Sequence, residues 1–212
     1  MDMEHLLIEL FDYFGTVIFA VTGAIRGRKS HLDLLGVVVL ACAVGVGGGI
    51  FRDLCLGAVP VAAITTETYL ILCAASGVCV FYWGGRLNEI PNIITFLDAV
   101  GLGVFTVLGA AKASAFGVSP IGIVLSGVVT AVGGGVVRDI MVGTVPVVLK
   151  SDFYATASLI GGIVYLLLRK FTPLPQEALF FIVAALVTGV RILAWHFRFR
   201  LPRAEEFASE KH

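Results

Sequence analysis

The chain has 212 residues, 58% hydrophobic and 14% charged, with a mean hydropathy of +0.98 and 15 basic against 15 acidic side chains. An ordinary soluble domain is about a quarter charged, and a soluble globule of this length could not hide so much apolar surface. Zero net charge without a long basic run excludes nucleic acid as a partner, and the composition as a whole reads as an all-α membrane protein.

Seven apolar stretches follow one another, each long enough or nearly so for a hydrocarbon layer that takes about 20 helical residues. The first, near Leu6–Ala24, follows Met1-Asp2-Met3-Glu4; with no basic residue before Leu6 it is read as retained, not as a cleaved leader. It carries Asp12. The second, Leu32–Gly57, contains Gly47-Gly48-Gly49-Ile50-Phe51-Arg52-Asp53 and runs on to Gly57-Ala58-Val59-Pro60. The third, Thr65–Trp83, opens on Thr65, Thr66, Glu67 and Thr68, which read as helix caps.

Asp98 lies in the fourth stretch, Ile93–Ala111. The fifth, Gly117–Val142, repeats the earlier motif as Gly133-Gly134-Gly135-Val136-Val137-Arg138-Asp139, followed by Gly143-Thr144-Val145-Pro146. Ser151 and Asp152 read as caps for the sixth, Phe153–Leu168. The seventh, Ala178–Ala194, is followed by Arg198, Arg200 and Arg203, a membrane-flanking cluster. Tyr69, Tyr82, Trp83 and Trp195 suit interfacial belts. Cys42, Cys55, Cys73 and Cys79 read as small apolar residues. His5, His31, His196 and His212 lack ligand spacing, so no structural metal and no cofactor is expected, and no catalytic or nucleotide-binding fingerprint points to an enzyme.

The two motifs stand 86 residues apart. The same offset aligns Asp12 with Asp98, Gly15 with Gly101, Phe19 with Phe105, Gly23-Ala24 with Gly109-Ala110, and Gly36 with Gly122. A three-helix unit repeated in tandem enters the membrane the second time from the opposite face, so the spacing predicts a 3+3 inverted repeat plus a seventh helix, seven transmembrane helices in all. The boundaries are 1–86 for the first repeat, 87–172 for the second, and 173–212 for the seventh helix and C-terminal tail. One face then carries nine Lys and Arg (Arg26, Arg28, Lys29, Arg86, Lys150, Arg198, Arg200, Arg203, Lys211) and the other three (Lys112, Arg169, Lys170). The positive-inside rule puts the N-terminus outside and the C-terminus in the cytoplasm.

Gly47, Gly48, Gly49, Gly133, Gly134 and Gly135 sit mid-span, where each glycine costs a helix about 1 kcal/mol relative to alanine. One reading is a kink or break whose freed carbonyls line a watery path and offer ligands to cations; the other is close helix packing. Intramembrane charge is costly, so Asp12, Arg52, Asp53, Asp98, Arg138 and Asp139 need a purpose. Arg52 and Asp53 are sequence neighbours and should not face one another on a helix. Candidate partners are Asp12 for Arg52 and Asp98 for Arg138; alternatively both acids sit at interfaces near helix N-termini. Four acids against two bases give this embedded set a charge of −2, which favours cations.

The doubled Gly-Gly-Gly-x-x-Arg-Asp with its trailing Gly-x-Val-Pro, on seven apolar stretches, resembles the prokaryotic trimeric intracellular cation (TRIC) channel family, whose bacterial members also carry a glycine-transporter domain name. The resemblance covers roughly Leu6 to Ala194. It implies a homotrimer in the inner (plasma) membrane, among lipids, with one pore per subunit. Glycine-kinked second and fifth helices would line that pore, which would pass potassium or sodium. Animal members use a lysine-containing motif and bind phosphoinositide; nothing here matches it. A transporter for a small amino acid such as glycine and a structural membrane protein without flux are the alternatives.

Overall fold

The computed structural model describes residues 3–85, 90–150 and 153–197. Expectations placed on Arg86, Ser151, Asp152, Arg198, Arg200, Arg203, Lys211 and His212 fall outside these residues. Among the described residues there are nine helices and no strand: α1 Met3–Lys29, α2 Leu34–Leu56, α3 Ala62–Thr65, α4 Glu67–Trp83, α5 Ile93–Ala115, α6 Pro120–Met141, α7 Val147–Lys150, α8 Ala155–Phe171 and α9 Gln176–His196. Five are long and apolar enough to cross a membrane: α1 from Leu6, α2, α5, α6 and α9. At 17 residues each, α4 and α8 measure only about 25 Å.

Each predicted apolar stretch coincides with one helix, whereas the four-residue helices α3 and α7 are new. Local chemistry explains the ends. Asp33 caps α2 by accepting from the Gly36 amide at 2.7 Å, and Ser119 caps α6 from Gly122 at 3.2 Å with Pro120 in the first turn. Gly57 after α2 and Gly143 after α6 take the left-handed conformation, φ 69° and 71°, which only glycine adopts without steric cost. Thr66 precedes α4 without any side-chain capping bond, contrary to expectation.

At the centre, α5 packs against α1, α6, α8 and α9, while α2 packs against α1, α4 and α6. Contacts between α1 and α5 are reciprocal: Gly15 faces the Phe105 ring, Gly101 faces the Phe19 ring, and the two rings lie 5.1 Å apart. These are the residues paired by the 86-residue offset. Likewise a side chain on Gly23 would meet Leu40 and Val44, and one on Gly109 would meet Ser126 and Thr130, again offset equivalents.

The glycine triplets do not interrupt their helices. Both α2 and α6 remain helical through them, and what the structure displays at the triplets is a close approach. A methyl group on Gly48 would collide with the Thr130 carbonyl oxygen; one on Gly133 would sit 2.9 Å from Gly48 Cα, and one on Gly134 would sit 2.5 Å from the Val44 carbonyl and 2.8 Å from Phe19. Two backbones thus touch where any side chain would hold them apart. By contrast, a would-be Cβ on Gly49 has only Arg52 Nη2 nearby, at 3.7 Å, whereas one on Gly135 would sit 2.8 Å from the Tyr154 hydroxyl as well as 3.7 Å from Arg138 Nη2.

This distinction predicts opposite effects within one triplet. Gly48→Ala overpacks backbone against backbone and should lower stability by about 1–3 kcal/mol or more. Gly49→Ala meets ordinary contacts, and by removing helix-opposing flexibility should be neutral or stabilising by up to about 1 kcal/mol. Thermal melting of the two variants in detergent, side by side, checks the order; equal losses would contradict the crossing described here.

Candidate functional site: two buried arginine-aspartate clusters

Each Arg-Asp dipeptide lies one turn or less before its helix ends, and the left-handed glycine beyond turns the chain back over it. The Ala58 amide donates to the Asp53 carbonyl at 2.8 Å, and the Thr144 amide to the Asp139 carbonyl at 2.8 Å. This turn brings the first amide of the following short helix onto the carboxylate. Ala62 N donates to Asp53 Oδ2 at 3.1 Å, and Val147 N to Asp139 Oδ2 at 2.8 Å. An ionised carboxylate at a helix start satisfies an otherwise orphaned donor and meets the positive end of the peptide dipoles.

The neighbours in sequence also bond to each other. Arg52 Nε donates to Asp53 Oδ1 at 2.8 Å and Arg138 Nε to Asp139 Oδ1 at 3.0 Å. The expectation that adjacent residues do not face one another is therefore corrected: the arginine stem is long enough to fold back along the helix end. All four residues are at most 4% exposed.

Beyond these shared parts the clusters differ. In the second, Arg138 Nη1 donates to Asp98 Oδ1 at 2.6 Å and to Thr22 Oγ1 at 3.3 Å. Asp98, 4% exposed, is buried within the protein. In the first, no ion pair joins Asp12 to Arg52 among the described residues; Asp12 Oδ2 accepts from Tyr69 Oη at 2.9 Å instead. Tyr69 is thus a partner of an acid, not simply a belt residue. The acid left open on Asp53 Oδ1 is taken by Lys112 Nζ at 2.7 Å, from the end of α5.

Three contributors were left out of the embedded set read from the sequence. Lys112 was counted on the less basic face; Arg191 of α9, in or at the edge of a span by sequence and 6% exposed, holds its guanidinium 4.9 Å from the centre of the buried Tyr154 ring; and Tyr154 itself starts the segment into α8. A usable signal existed for one of them, since Lys112 occupies the offset position of Arg26. Adding Lys112 and Arg191 brings the embedded charges to four acids and four bases, so the net −2 is corrected to zero.

The space around the clusters is unequal. Beside Asp12, Arg52, Asp53 and Tyr69 there is a cavity of only ≈ 20 Å³. Beside Arg138 and Asp139 there is one of ≈ 440 Å³, lined also by Arg26, Lys29, Thr95 and Lys150. Of the residues lining the two spaces, only Arg52 and Arg138, and Asp53 and Asp139, are offset equivalents.

A family model described as "Glycine transporter" matches the chain twice, over residues 9–84 and 95–170. Among curated relatives, an inner membrane protein of Escherichia coli K12, YadS, is 33% identical over 196 residues, covering 91% of this chain and 95% of its own. A membrane protein of Deinococcus radiodurans is 37% identical over 170 residues, 79% of each chain. Among solved structures, the TRIC trimeric intracellular cation channel orthologue from Rhodobacter sphaeroides superposes with a TM-score of 0.84 at 34% identity, covering 91% of this chain and 99% of that one. A prokaryotic TRIC channel solved in 0.5 M KCl gives 0.84 at 33% identity, covering 93% and 100%.

The pairing pattern predicts which double mutants rescue. Removing Arg138 leaves Asp98 and Asp139 both uncompensated, at a cost of about 3–5 kcal/mol, whereas removing Asp98 leaves Arg138 paired with Asp139 alone. Asp98→Asn with Arg138→Gln should therefore lose less than the sum of the single changes. Asp12→Ala with Tyr69→Phe should likewise be sub-additive, because either single change already breaks their one bond. Melting temperatures in detergent read both cycles, and strict additivity in either would show that the partners do not interact.

Proposed function

The chain belongs to the trimeric intracellular cation channel family, the one whose sequence model is described as a glycine transporter, and from that premise we propose that it is a monovalent cation channel. One observation carries the reading: solved cation channels match it at TM-scores of 0.83 to 0.84 and 33–35% identity over more than nine-tenths of both chains. Charge is no argument for cations once Lys112 and Arg191 are counted, so the reading rests on that likeness.

In this reading the protein is a homotrimer with a separate pore in every subunit. Potassium enters through the ≈ 440 Å³ cavity at Arg138 and Asp139 and passes along the α2–α6 crossing, where Gly47–Gly49 and Gly133–Gly135 form the narrowest point. It leaves past Asp53 and Asp12. Opening the path then requires α2 and α6 to separate or bend at the glycines, whose lack of side chains makes such movement easy. The seven long helices form a 3+3 inverted repeat plus α9; support comes from the reciprocal Gly15–Phe105 and Gly101–Phe19 contacts and from the two family-model matches at the same offset of 86. The excess of Lys and Arg places the N-terminus outside and the C-terminus in the cytoplasm of the inner membrane.

A transporter for a small amino acid is the second reading, favoured by the family description and by the duplicated halves. Purified protein in planar bilayers under a potassium chloride gradient separates the two. A channel gives unitary currents reversing near the potassium equilibrium potential; saturable glycine uptake into liposomes without unitary current would overturn the channel in favour of the transporter. For orientation, a C-terminal reporter that is active only in the cytoplasm should be active, and a reporter active only in the periplasm should be silent.

A further inference from the structure

Two of the four cysteines stand together. A Cβ on Gly77 of α4 would lie 3.0 Å from Val38 Cα on α2, so with a bond of about 1.5 Å the two Cα atoms are within about 4.5 Å of each other. The contacts run antiparallel, since Gly45, further along α2, meets Cys73, earlier on α4. One helical turn on from Val38 is Cys42, and one turn back from Gly77 is Cys73. The Cys73 thiol donates to the Cys42 sulfur, within one apolar cluster that holds both. A Cβ on Gly45 would lie 2.5 Å from Cys73 Sγ, so the glycine there leaves room for the sulfur. The pair belongs to the first half alone. In the second half α6 and α8 approach through Val124 and Gly162, and one turn from these stand Val128 and Ser158. Ser158 bonds to Thr106 at 2.7 Å and ties α8 to α5, whereas Cys73 reaches α2.

We propose that Cys42 and Cys73 are a peroxide-sensitive dithiol, which closes reversibly to a disulfide and holds α2 against α4. A disulfide needs Cα atoms within about 7 Å, and a crossing this tight supplies that one turn away from Val38 and Gly77. Hydrogen peroxide is small and uncharged, which suits a thiol eight residues, or about 12 Å, along α2 from Leu34. Cys42 is half-buried and Cys73 has no exposure, so Cys42 reacts first. Its sulfur takes one peroxide oxygen and becomes a sulfenic acid, and one water leaves. The Cys73 sulfur then displaces the hydroxyl: the S–S bond forms, and the hydroxyl leaves with the Cys73 proton as a second water. Two thiols and one peroxide give one disulfide and two waters, and a dithiol reductant reverses the step. Gly47–Gly49 follow Cys42 on the same helix. Under the channel reading, on which this last consequence rests, a covalent tie to α4 restrains the part of α2 that has to move from α6, so oxidation lowers conduction.

Full-length protein with the exposed Cys55 and Cys79 replaced by serine keeps only the pair. Purified in detergent, it is treated with hydrogen peroxide, unfolded and alkylated with N-ethylmaleimide; intact mass counts the thiols that remain, and peptide mass spectrometry locates any link. Both thiols should be lost together as a Cys42–Cys73 link, and dithiothreitol should restore both. In Cys73→Ala the reaction should stop at a Cys42 sulfenic acid that dimedone captures, and in Cys42→Ala Cys73 should stay alkylatable. Unitary currents of the same preparation in planar bilayers should fall on peroxide treatment and recover with dithiothreitol, and Cys42→Ala should be indifferent to both. Should the serine background fail to assemble, as judged by gel filtration, the unaltered chain serves, because a linked peptide is identified by its own mass. Three outcomes would overturn the proposal. Cys42 oxidised to sulfenic or sulfinic acid without a link would mean that Cys73 does not resolve it; thiols that both survive peroxide would mean no sensitive pair; and a link that leaves the currents unchanged would mean that the tie does not restrain α2. A preparation silent before any peroxide would count against the channel reading alone, since the link is read by mass.

Discussion

A guanidinium or carboxylate that lies within a membrane has no water to fall back on, so each of its hydrogen-bonding positions has to be filled by the chain itself. Asp53 and Asp139 meet this demand in the same way. One oxygen takes the arginine next door, the other takes the first amide of a four-residue helix, and a left-handed glycine supplies the turn that brings the two together. The long helices, the reversal after each motif and the position of the short helices are all tied to those carboxylates. An aspartate is needed because its stem is short: the carboxylate stays near its own backbone, where both donors converge.

Much of this order was legible in the chain. Apolar runs located the long helices, and the 86-residue offset foretold which residues would behave alike, down to the matched glycines Gly57 and Gly143. Asp98 and Arg138 were paired on depth alone, and the structure brings them to 2.6 Å. The failures have a common source. Depth along a helix can be counted from a sequence, but rotation about its axis and the reach of a long side chain cannot. Hence Asp12, at a suitable depth for Arg52, turns to Tyr69, while Lys112 reaches inward from the end of α5. At the glycine triplets the sequence left a kink or break and close packing both open, because low helix propensity does not say what stands alongside. A helix held on several sides by neighbours retains its hydrogen bonds through three glycines, and the missing side chains become room for another backbone.

The duplicated halves are similar in framework and unlike in detail, and the differences fall on side chains that reach between them. Offset partners keep the backbone turns and the Arg-Asp bonds the same. What varies is the second cation on each aspartate: a lysine in contact at Asp53, an arginine held off at Asp139.

Arg191 belongs to α9, the helix without a counterpart in the duplication, yet its guanidinium lies over Tyr154 inside the second half. The repeat unit is thus not self-sufficient. A chain trimmed to its two symmetric halves would keep both Arg-Asp motifs and lose a cation from the interior of one, leaving an aromatic face and its neighbouring acids with altered charge. Attempts to shrink this architecture to a minimal duplicated module would have to replace that side chain from elsewhere, and a half-length ancestor assembling as a pair would have needed a different solution to the same vacancy.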